Sequence, residues 1–496
     1  MKPVSAGVAV TMIAVAVAAR FALSSPWIVG VGVPALAVAA WAAFGWAAAV
    51  LRRPGVVLRF AGLEWTRDEA CTHFLITGAT GTGKTARAVV PILKGLRETL
   101  PGTGILAIDS KGALWQPVTR IAQALGQEAD LRLIRVRPPE MPVEKWTAPL
   151  RLNLLADRSV PWTTYAKIIV DTATSAGQKG GQSFFKETAR DLITHAMQAL
   201  DLCGLPVTLE NVYHVTCVST GTDELLEELS RVAAPAAMAE RQFFRDFAAQ
   251  PVEQKGGTVS TAANFLRPYT PPDIAEVFCA VEPNFSLAEL DAGRLVCLSV
   301  PQTYQIERKY LNLLCKQLFF LHAFRRFDLA DAEMRKRNML VLALDEGQKT
   351  TLVSEDGFSD YTTVDELREA GVAIVTATQT PLSFHAAFGD EKRADVFMAN
   401  LRTQIHFRAA DEKGAKIISE KMGGREVRKY SGGFSGGKES RNWQLADEPW
   451  FKPHTLLNLQ EGQAVVRVSG VSGAPRLKSF SCTSLTRPNE YLNEYT

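Results

Sequence analysis

Residues 78–85 read Gly-Ala-Thr-Gly-Thr-Gly-Lys-Thr, a match to G-x-x-x-x-G-K-[ST]. A loop of this kind constrains everything around it. Its glycines let backbone N–H groups close on phosphate oxygens, its lysine reaches the outer phosphates, and its last hydroxyl serves Mg²⁺. That chemistry requires a strand before the loop and a helix after it. Phe74–Thr77 is an apolar run of strand length, and Ala86–Val90 is helix-compatible. Gly78, Gly81, Gly83, Lys84 and Thr85 are therefore expected to bind ATP, with Thr85 also on the metal.

Hydrolysis needs a second, acidic element. Met339–Leu344 is an apolar run ending in Asp345-Glu346. Asp345 is expected to hold Mg²⁺ together with Thr85, and Glu346 to orient and deprotonate the water that attacks the γ-phosphate. The run Val372–Thr378 ends at Gln379, which is placed to contact the γ-phosphate or its water. Arg368, just before that run, reads either as a solvated helix arginine or as a group offered to a neighbouring subunit's nucleotide. Arg408, after Thr403–Phe407, is a second candidate arginine. Asp109-Ser110-Lys111-Gly112 follows Gly104–Ile108 and can cap a helix or line the cleft; its spacing favours the structural role.

Composition narrows the rest. A chain of 496 residues has room for two or three domains. A net charge of +3 gives no bulk basic field, so any nucleic-acid surface must be local, as in a pore. The seven cysteines include no C-x-x-C pair and mostly sit in apolar runs, which points to buried free thiols in a reducing compartment. The seven histidines lack metal-ligand spacing and read as packing or surface residues.

The first fifty residues differ from the remainder. Residues 3–19 and 26–51 carry no charge, and Arg20–Ser25 separates them. A bilayer span takes about 20 apolar residues, so residues 1–53 are expected to form a two-helix transmembrane hairpin. Lys2 on one side and Arg52, Arg53 and Arg59 on the other flank put both ends on the cytoplasmic face. A cleaved signal peptide is the rival reading of the first run. Either one leaves the body after Arg53 in the cytoplasm.

Past Arg53 the pattern is that of an α/β protein. Strand-like runs occur at Phe74–Thr77, Gly104–Ile108, Leu131–Val136, Arg294–Val300, Met339–Leu344, Val372–Thr378, Thr403–Phe407 and Ala464–Val468. Helix-length amphipathic segments such as Tyr310–Phe324 and Lys413–Met422 lie between many of them, so the sheet is expected to be mostly parallel and covered on both faces. Residues 156–285 break the alternation. Ser183–Leu200 keeps an apolar stripe at helical spacing, and Leu225–Ala249 reads as two helices around Pro235. The expected organisation is a transmembrane hairpin at 1–53, a nucleotide-binding domain at 54–155 and 286–496, and an inserted all-α domain at 156–285. Two glycine-rich stretches, 177–182 and 431–438, read as flexible linkers. The second is similar to the ABC-transporter signature loop but follows the acidic strand instead of preceding it.

Taken in order, these elements resemble the TraG/TraD-type coupling proteins of conjugation and type IV secretion. The resemblance is carried by His73–Thr85, by Ile108–Leu114 against the family's D-P-K-G-E-L, and by Leu152-Asn153-Leu154-Leu155 against its F-N-P-L. Leu298–Pro301, Leu344-Asp345-Glu346, Leu367–Gly371, Ala377–Thr380 and the stretch 400–423 continue it. It implies a RecA-like P-loop motor that assembles as a hexameric ring at the inner membrane. It also implies ATP-driven movement of single-stranded DNA with its attached relaxase into a type IV secretion channel, with the α-domain selecting substrates. Arg368 lines up with the arginine that acts in trans.

The chain departs from the pattern at Gly347, where the family usually has Phe, and at Ser110, where it has Pro. The short loop between the expected spans limits periplasmic contact with a channel, and without a long acidic tail no relaxosome docking through one is expected. Two alternatives stay open. One is an FtsK/HerA-type duplex DNA translocase, against which stands the short stretch after Val468. The other is an effector-protein receptor whose ATPase ignores DNA.

Overall fold

The computed structural model describes residues 54–177, 183–435, 438–468, 474–483 and 485. The expected membrane hairpin, 1–53, lies outside the described residues, as does most of the first glycine-rich stretch. Among the described residues no helix is long and apolar enough to cross a membrane.

The body opens with a small two-stranded sheet, β1 (Val56–Phe60) and β2 (Leu63–Thr66). There follow β3 (Phe74–Thr77), β4 (Gly104–Asp109), β5 (Leu131–Arg135), β6 (Leu295–Ser299), β7 (Leu340–Asp345), β8 (Val372–Thr378) and β9 (Thr403–His406). A long hairpin, β10 (Gly424–Ser435) and β11 (Lys438–Pro449), precedes β12 (Gln463–Arg467) and β13 (Arg476–Ser479). The main sheet has nine strands in the order β13-β12-β9-β3-β8-β7-β4-β6-β5. From β9 to β5 every pairing is parallel; β12 runs antiparallel to both its neighbours. The eight strands expected from the sequence are all present, each within one residue at either end.

Alternation along each strand divides the core in two. Leu75, Leu106, Ile108, Leu342, Leu344 and Ile374 face one side of the sheet. Phe74, Ile76, Ile105, Ala107, Val341, Ala343 and Val375 face the other, under helices Val90–Thr99 and Trp115–Leu125. A period of two sends neighbouring side chains to opposite faces, and both faces here are covered, which is why the strands read as continuous apolar runs.

The first of these cores continues into the helical region. Helices Trp162–Ala176, Ser183–Leu202, Leu209–Cys217, Ser219–Arg231, Pro235–Ala248, Val252–Leu266 and Pro272–Phe278 fill it, and among the described residues no strand of the sheet arises there. Pro235 opens its helix at the first turn, where its missing N–H costs nothing. The chain enters and leaves this region side by side. The Leu152 N–H donates to the Val277 carbonyl at 2.6 Å, and the Ala280 N–H to that of Leu152 at 2.9 Å.

Of the stretch 431–438, expected to be a flexible linker, residues 431–435 belong to β10 and Lys438 to β11. Twelve cross-strand pairs run from Gly424↔Pro449 to Ser435↔Lys438, with Tyr430 opposite Trp443 and Arg428 opposite Leu445. Gly432 and Gly433 pair with Arg441 and Ser440 toward the end of the hairpin. All the cysteines are free; Cys71, Cys279, Cys297 and Cys315 are buried as expected, whereas Cys482 is exposed.

Candidate nucleotide site

Every parallel strand of the sheet points its C-terminal end to one edge, and the candidate residues other than Arg368 collect there. This is where open α/β sheets form their crevices. β8 lies between β3, which delivers the glycine-rich loop, and β7, which delivers the acid pair. The single intervening strand sets the width of the cleft and leaves Gln379, the residue after β8, between the two motifs. Its backbone carbonyl accepts from the Gly78 N–H at 3.2 Å, and its side chain is exposed. Arg408, after β9 on the other side of β3, accepts from the Ala79 N–H through its carbonyl at 2.8 Å. Both loop contacts are made by the residues that follow neighbouring strands.

The loop needs its glycines for two reasons. A Cβ at Gly78 would stand 2.7 Å from the Phe407 Cβ and 2.9 Å from the Thr82 Oγ1. Gly81 and Gly83 take φ of +82° and +81°, which side chains with a Cβ rarely adopt. The helix after the loop begins as a π-helical turn, Thr85–Val89, before continuing as Val90–Thr99. Pro91 has no N–H for the Ala86 carbonyl, which accepts instead from the Thr483 N–H at 3.1 Å. Arg87 binds the same late segment by donating to the Phe480 carbonyl at 3.0 Å.

Lys84 donates from Nζ to the Gly78 carbonyl at 2.7 Å and to that of Ala79 at 3.2 Å. Burial, followed by the like charge of Lys111, pulls its ammonium below the ordinary value. Thr85 donates its hydroxyl to the Asp345 carboxylate at 3.1 Å, so the two expected metal ligands, from distant parts of the chain, are in contact. Burial pushes the Asp345 carboxyl up. The cradle of N–H groups, the lysine and the hydroxyl–carboxylate pair fit a nucleoside triphosphate with a hard, oxygen-preferring cation such as Mg²⁺.

Glu346 is buried and has a left-handed backbone, φ +61° and ψ +58°. For a residue with a side chain that conformation stores of order 1–3 kcal/mol, and such strain gathers at functional sites. Two ammonium groups hold the side chain there: Lys111 at 2.9 Å, and Lys349 three residues on. Burial alone would raise the Glu346 carboxyl, but the bonds from Lys349 and Lys111 outweigh it and hold it below its ordinary value. Gly347 also has a reason. A Cβ there would meet the Thr376 Oγ1 of β8 at 2.0 Å, so a larger residue has no room. Beyond it, buried Lys316 fixes the segment by donating to the Thr350 carbonyl at 2.8 Å and to Asp360 at 2.7 Å.

Asp109 takes the structural role its spacing favoured. Its carboxylate accepts from the N–H groups of Lys111, Gly112 and Leu114 at 2.9, 2.8 and 2.6 Å. Lys111 belongs to the segment 109–112, for which the structural role was favoured over lining the cleft, and Lys349 was not singled out from the sequence. One signal for Lys111 was available: Asp109 ends β4 as Asp345 ends β7, so two residues past Asp109 is beside the acid pair if the strands are neighbours.

Arg368 is not part of this cluster in its own chain. It follows helix Asp360–Leu367 and precedes β8, which places it at the opposite end of that strand, roughly 20 Å away at about 3.3 Å per residue. Its charge acts on Cys71 and His73, ahead of β3.

Comparison with known proteins bears on the family and the fold. A family model described as type IV secretory system conjugative DNA transfer matches residues 49–475. Among solved structures, the unbound bacterial conjugative coupling protein TrwBdeltaN70 aligns with a TM-score of 0.62 at 19% identity, covering 88% of this chain and 90% of that one. Plasmid coupling protein TrwB in complex with the ATP analogue ADPNP aligns at 0.60 and 19%, covering 88% and 91%. TrwB in complex with ADP and Mg²⁺ aligns at 0.59 and 18%, covering 88% and 90%. At this level of identity the likeness establishes a shared fold. No curated protein matches the chain. With the family model spanning most of its length, the chain belongs to the type IV secretory system conjugative DNA transfer family.

Proposed function

We propose that this protein is an inner-membrane ATPase that couples DNA–relaxase substrates to a type IV secretion channel and drives their translocation by ATP hydrolysis. The observation that carries the ATPase reading is the contact between Thr85 of the glycine-rich loop and Asp345 of the acidic strand, with Glu346 beside it. Family membership supplies the coupling role. The similar TrwB structures with ADPNP and with ADP and Mg²⁺ support ATP and Mg²⁺ as ligands.

In this reading Mg²⁺ supplies neutralisation of the phosphate charge when bound. Gly78, Gly81 and Gly83 shape the cradle, Lys84 leaves its two carbonyl partners to pair with the phosphates, and Thr85 and Asp345 hold the cation. Glu346 orients the attacking water and accepts its proton. Gln379, between the two motifs, senses the outer phosphate.

Arg368 acts on the nucleotide of an adjacent copy in a homo-oligomer, a hexameric ring by resemblance. Its distance from its own glycine-rich loop supports a role in trans over one in cis. Residues 1–53 form the membrane hairpin, 54–155 and 286–496 the motor, and 156–285 the substrate-selecting domain in the same proposal. DNA contact is mostly to phosphates and falls steeply with salt.

The test is transfer in cells. A chain carrying Lys84→Ala should reach the inner-membrane fraction yet fail to support movement of a mobilisable plasmid. Undiminished transfer would contradict the reading.

A further inference from the structure

We propose that Lys111 is a switching residue of this site, exchanging its ammonium between the Glu346 carboxylate and the terminal phosphate of ATP. The inference rests on the ATPase reading above and concerns how the same site is controlled.

Four observations lead to it. β4 and β7 are neighbours in register, with Asp109 opposite Asp345, so the turn after β4 stands beside the acid pair. That turn is fixed. Asp109 takes three of its N–H groups, and the Gln302 side-chain amide donates to the Lys111 carbonyl at 2.6 Å. The Lys111 side chain is the exposed part: 47% exposed, with its Nζ 2.9 Å from the Glu346 Oε1. Asp345, the neighbour of Glu346, is in contact with Thr85 of the glycine-rich loop at 3.1 Å, so the acid pair adjoins the phosphate cradle.

The chemistry of the exchange follows. A lysine is a compact charge on a flexible stem, suited to changing partners without moving the backbone. A terminal phosphate carries more negative charge and more acceptor oxygens than one carboxylate, so it competes for the ammonium. Departure of Lys111 frees Oε1 to accept a hydrogen bond from water. Lys349, three residues along the same turn, stays with Glu346 and keeps it in place. The base is thus occupied until a triphosphate arrives, and a diphosphate does not release it.

The experiment measures equilibrium binding of ADP and of a non-hydrolysable ATP analogue, with Mg²⁺, to the full-length chain. Lys111→Met should lower the preference for the analogue over ADP about tenfold, the worth of one charge-assisted hydrogen bond. Glu346→Gln removes the competing partner, so the analogue should bind more tightly while ADP is unchanged. In the double variant that gain should vanish, as expected for coupled neighbours. Equal weakening of both nucleotides by Lys111→Met would overturn the switch, as would a Glu346→Gln gain that persists without Lys111. Lys84→Ala separates the two levels of the account. If it binds the analogue as the wild type does, the ATPase reading falls and the switch with it. If it abolishes binding while Lys111→Met keeps the wild-type preference, only the switch falls.

Discussion

Asp109 stands opposite Asp345 across the β4–β7 ladder, two strand-end carboxylates side by side with different work. The first spends its oxygens on three backbone N–H groups of the turn that follows it. The second faces the glycine-rich loop, with the Thr85 hydroxyl as a hydrogen-bond donor. A carboxylate filled by backbone donors shapes the site, while one with lone pairs to spare can hold a cation. The contrast separates the frame of the cleft from its chemistry.

Glu346→Gln should retain ATP binding and lose turnover by roughly 10²–10⁴-fold, the usual worth of a positioned general base. Single-turnover hydrolysis measured beside nucleotide binding checks this. Ordinary turnover in the Gln variant would remove Glu346 from the role of base.

Arg368→Ala should lower turnover by about 10³-fold or more, as loss of a trans-acting arginine does, with ATP affinity unchanged. Because Arg368 lies at the far end of β8 from its own loop, activity should return in part when wild-type subunits are mixed in. Hydrolysis measured across mixing ratios decides the matter. A strictly proportional response would argue against action between subunits.

Gly347→Ala should destabilise the fold by about 1–3 kcal/mol, the cost of overpacking a filled site. The added Cβ meets the Thr376 Oγ1 at 2.0 Å, whereas the Thr376 Cβ is 3.4 Å away. Thr376→Ala in the same chain should therefore recover most of the loss. Denaturant midpoints of the single and double variants measure it, and absence of rescue would place the strain elsewhere.

How much of this was legible beforehand depends on the range of the signal. The glycine-rich loop, the acid pair and the strand before Gln379 are local patterns, and each is found where the spacing placed it. The strands were readable because both sheet faces are buried, which makes them continuous apolar runs. The segment 109–112 was read as structural and Lys349 was not singled out, since the place of both lysines depends on which strand neighbours which. β4 could be seen to end in Asp109, but not that it pairs with β7. The β10–β11 hairpin was hidden by composition. Glycine and serine near its turn imitate a linker, and its remaining residues, among them exposed Tyr430 and Trp443, carry no apolar stripe against the core.

His73 provides a pH signature of the fold. It is buried at φ +67°, its Nδ1 accepts from the Ile374 N–H at 3.1 Å, and its Nε2 donates to the Val364 carbonyl at 2.7 Å. Burial lowers its pKa to about 4. The unfolded chain, with a histidine near the ordinary value of about 6.5, binds more protons between those limits, so stability rises with pH across that window. The contribution, at most about 3 kcal/mol, is complete above the upper limit and lost as pH falls toward the lower one. His73→Asn tolerates the left-handed backbone and should flatten this part of the stability–pH curve. An unchanged slope would mean that His73 is not held neutral.

The central claim is tested most directly by ATP hydrolysis of the full-length chain at low salt, without DNA, with single strands and with duplex, using Lys84→Ala as the blank. The account predicts turnover that the blank lacks and that single-stranded DNA stimulates strongly, with stimulation fading as salt rises. Turnover indifferent to DNA would contradict it in favour of a protein receptor, and preference for duplex would contradict it in favour of a duplex translocase.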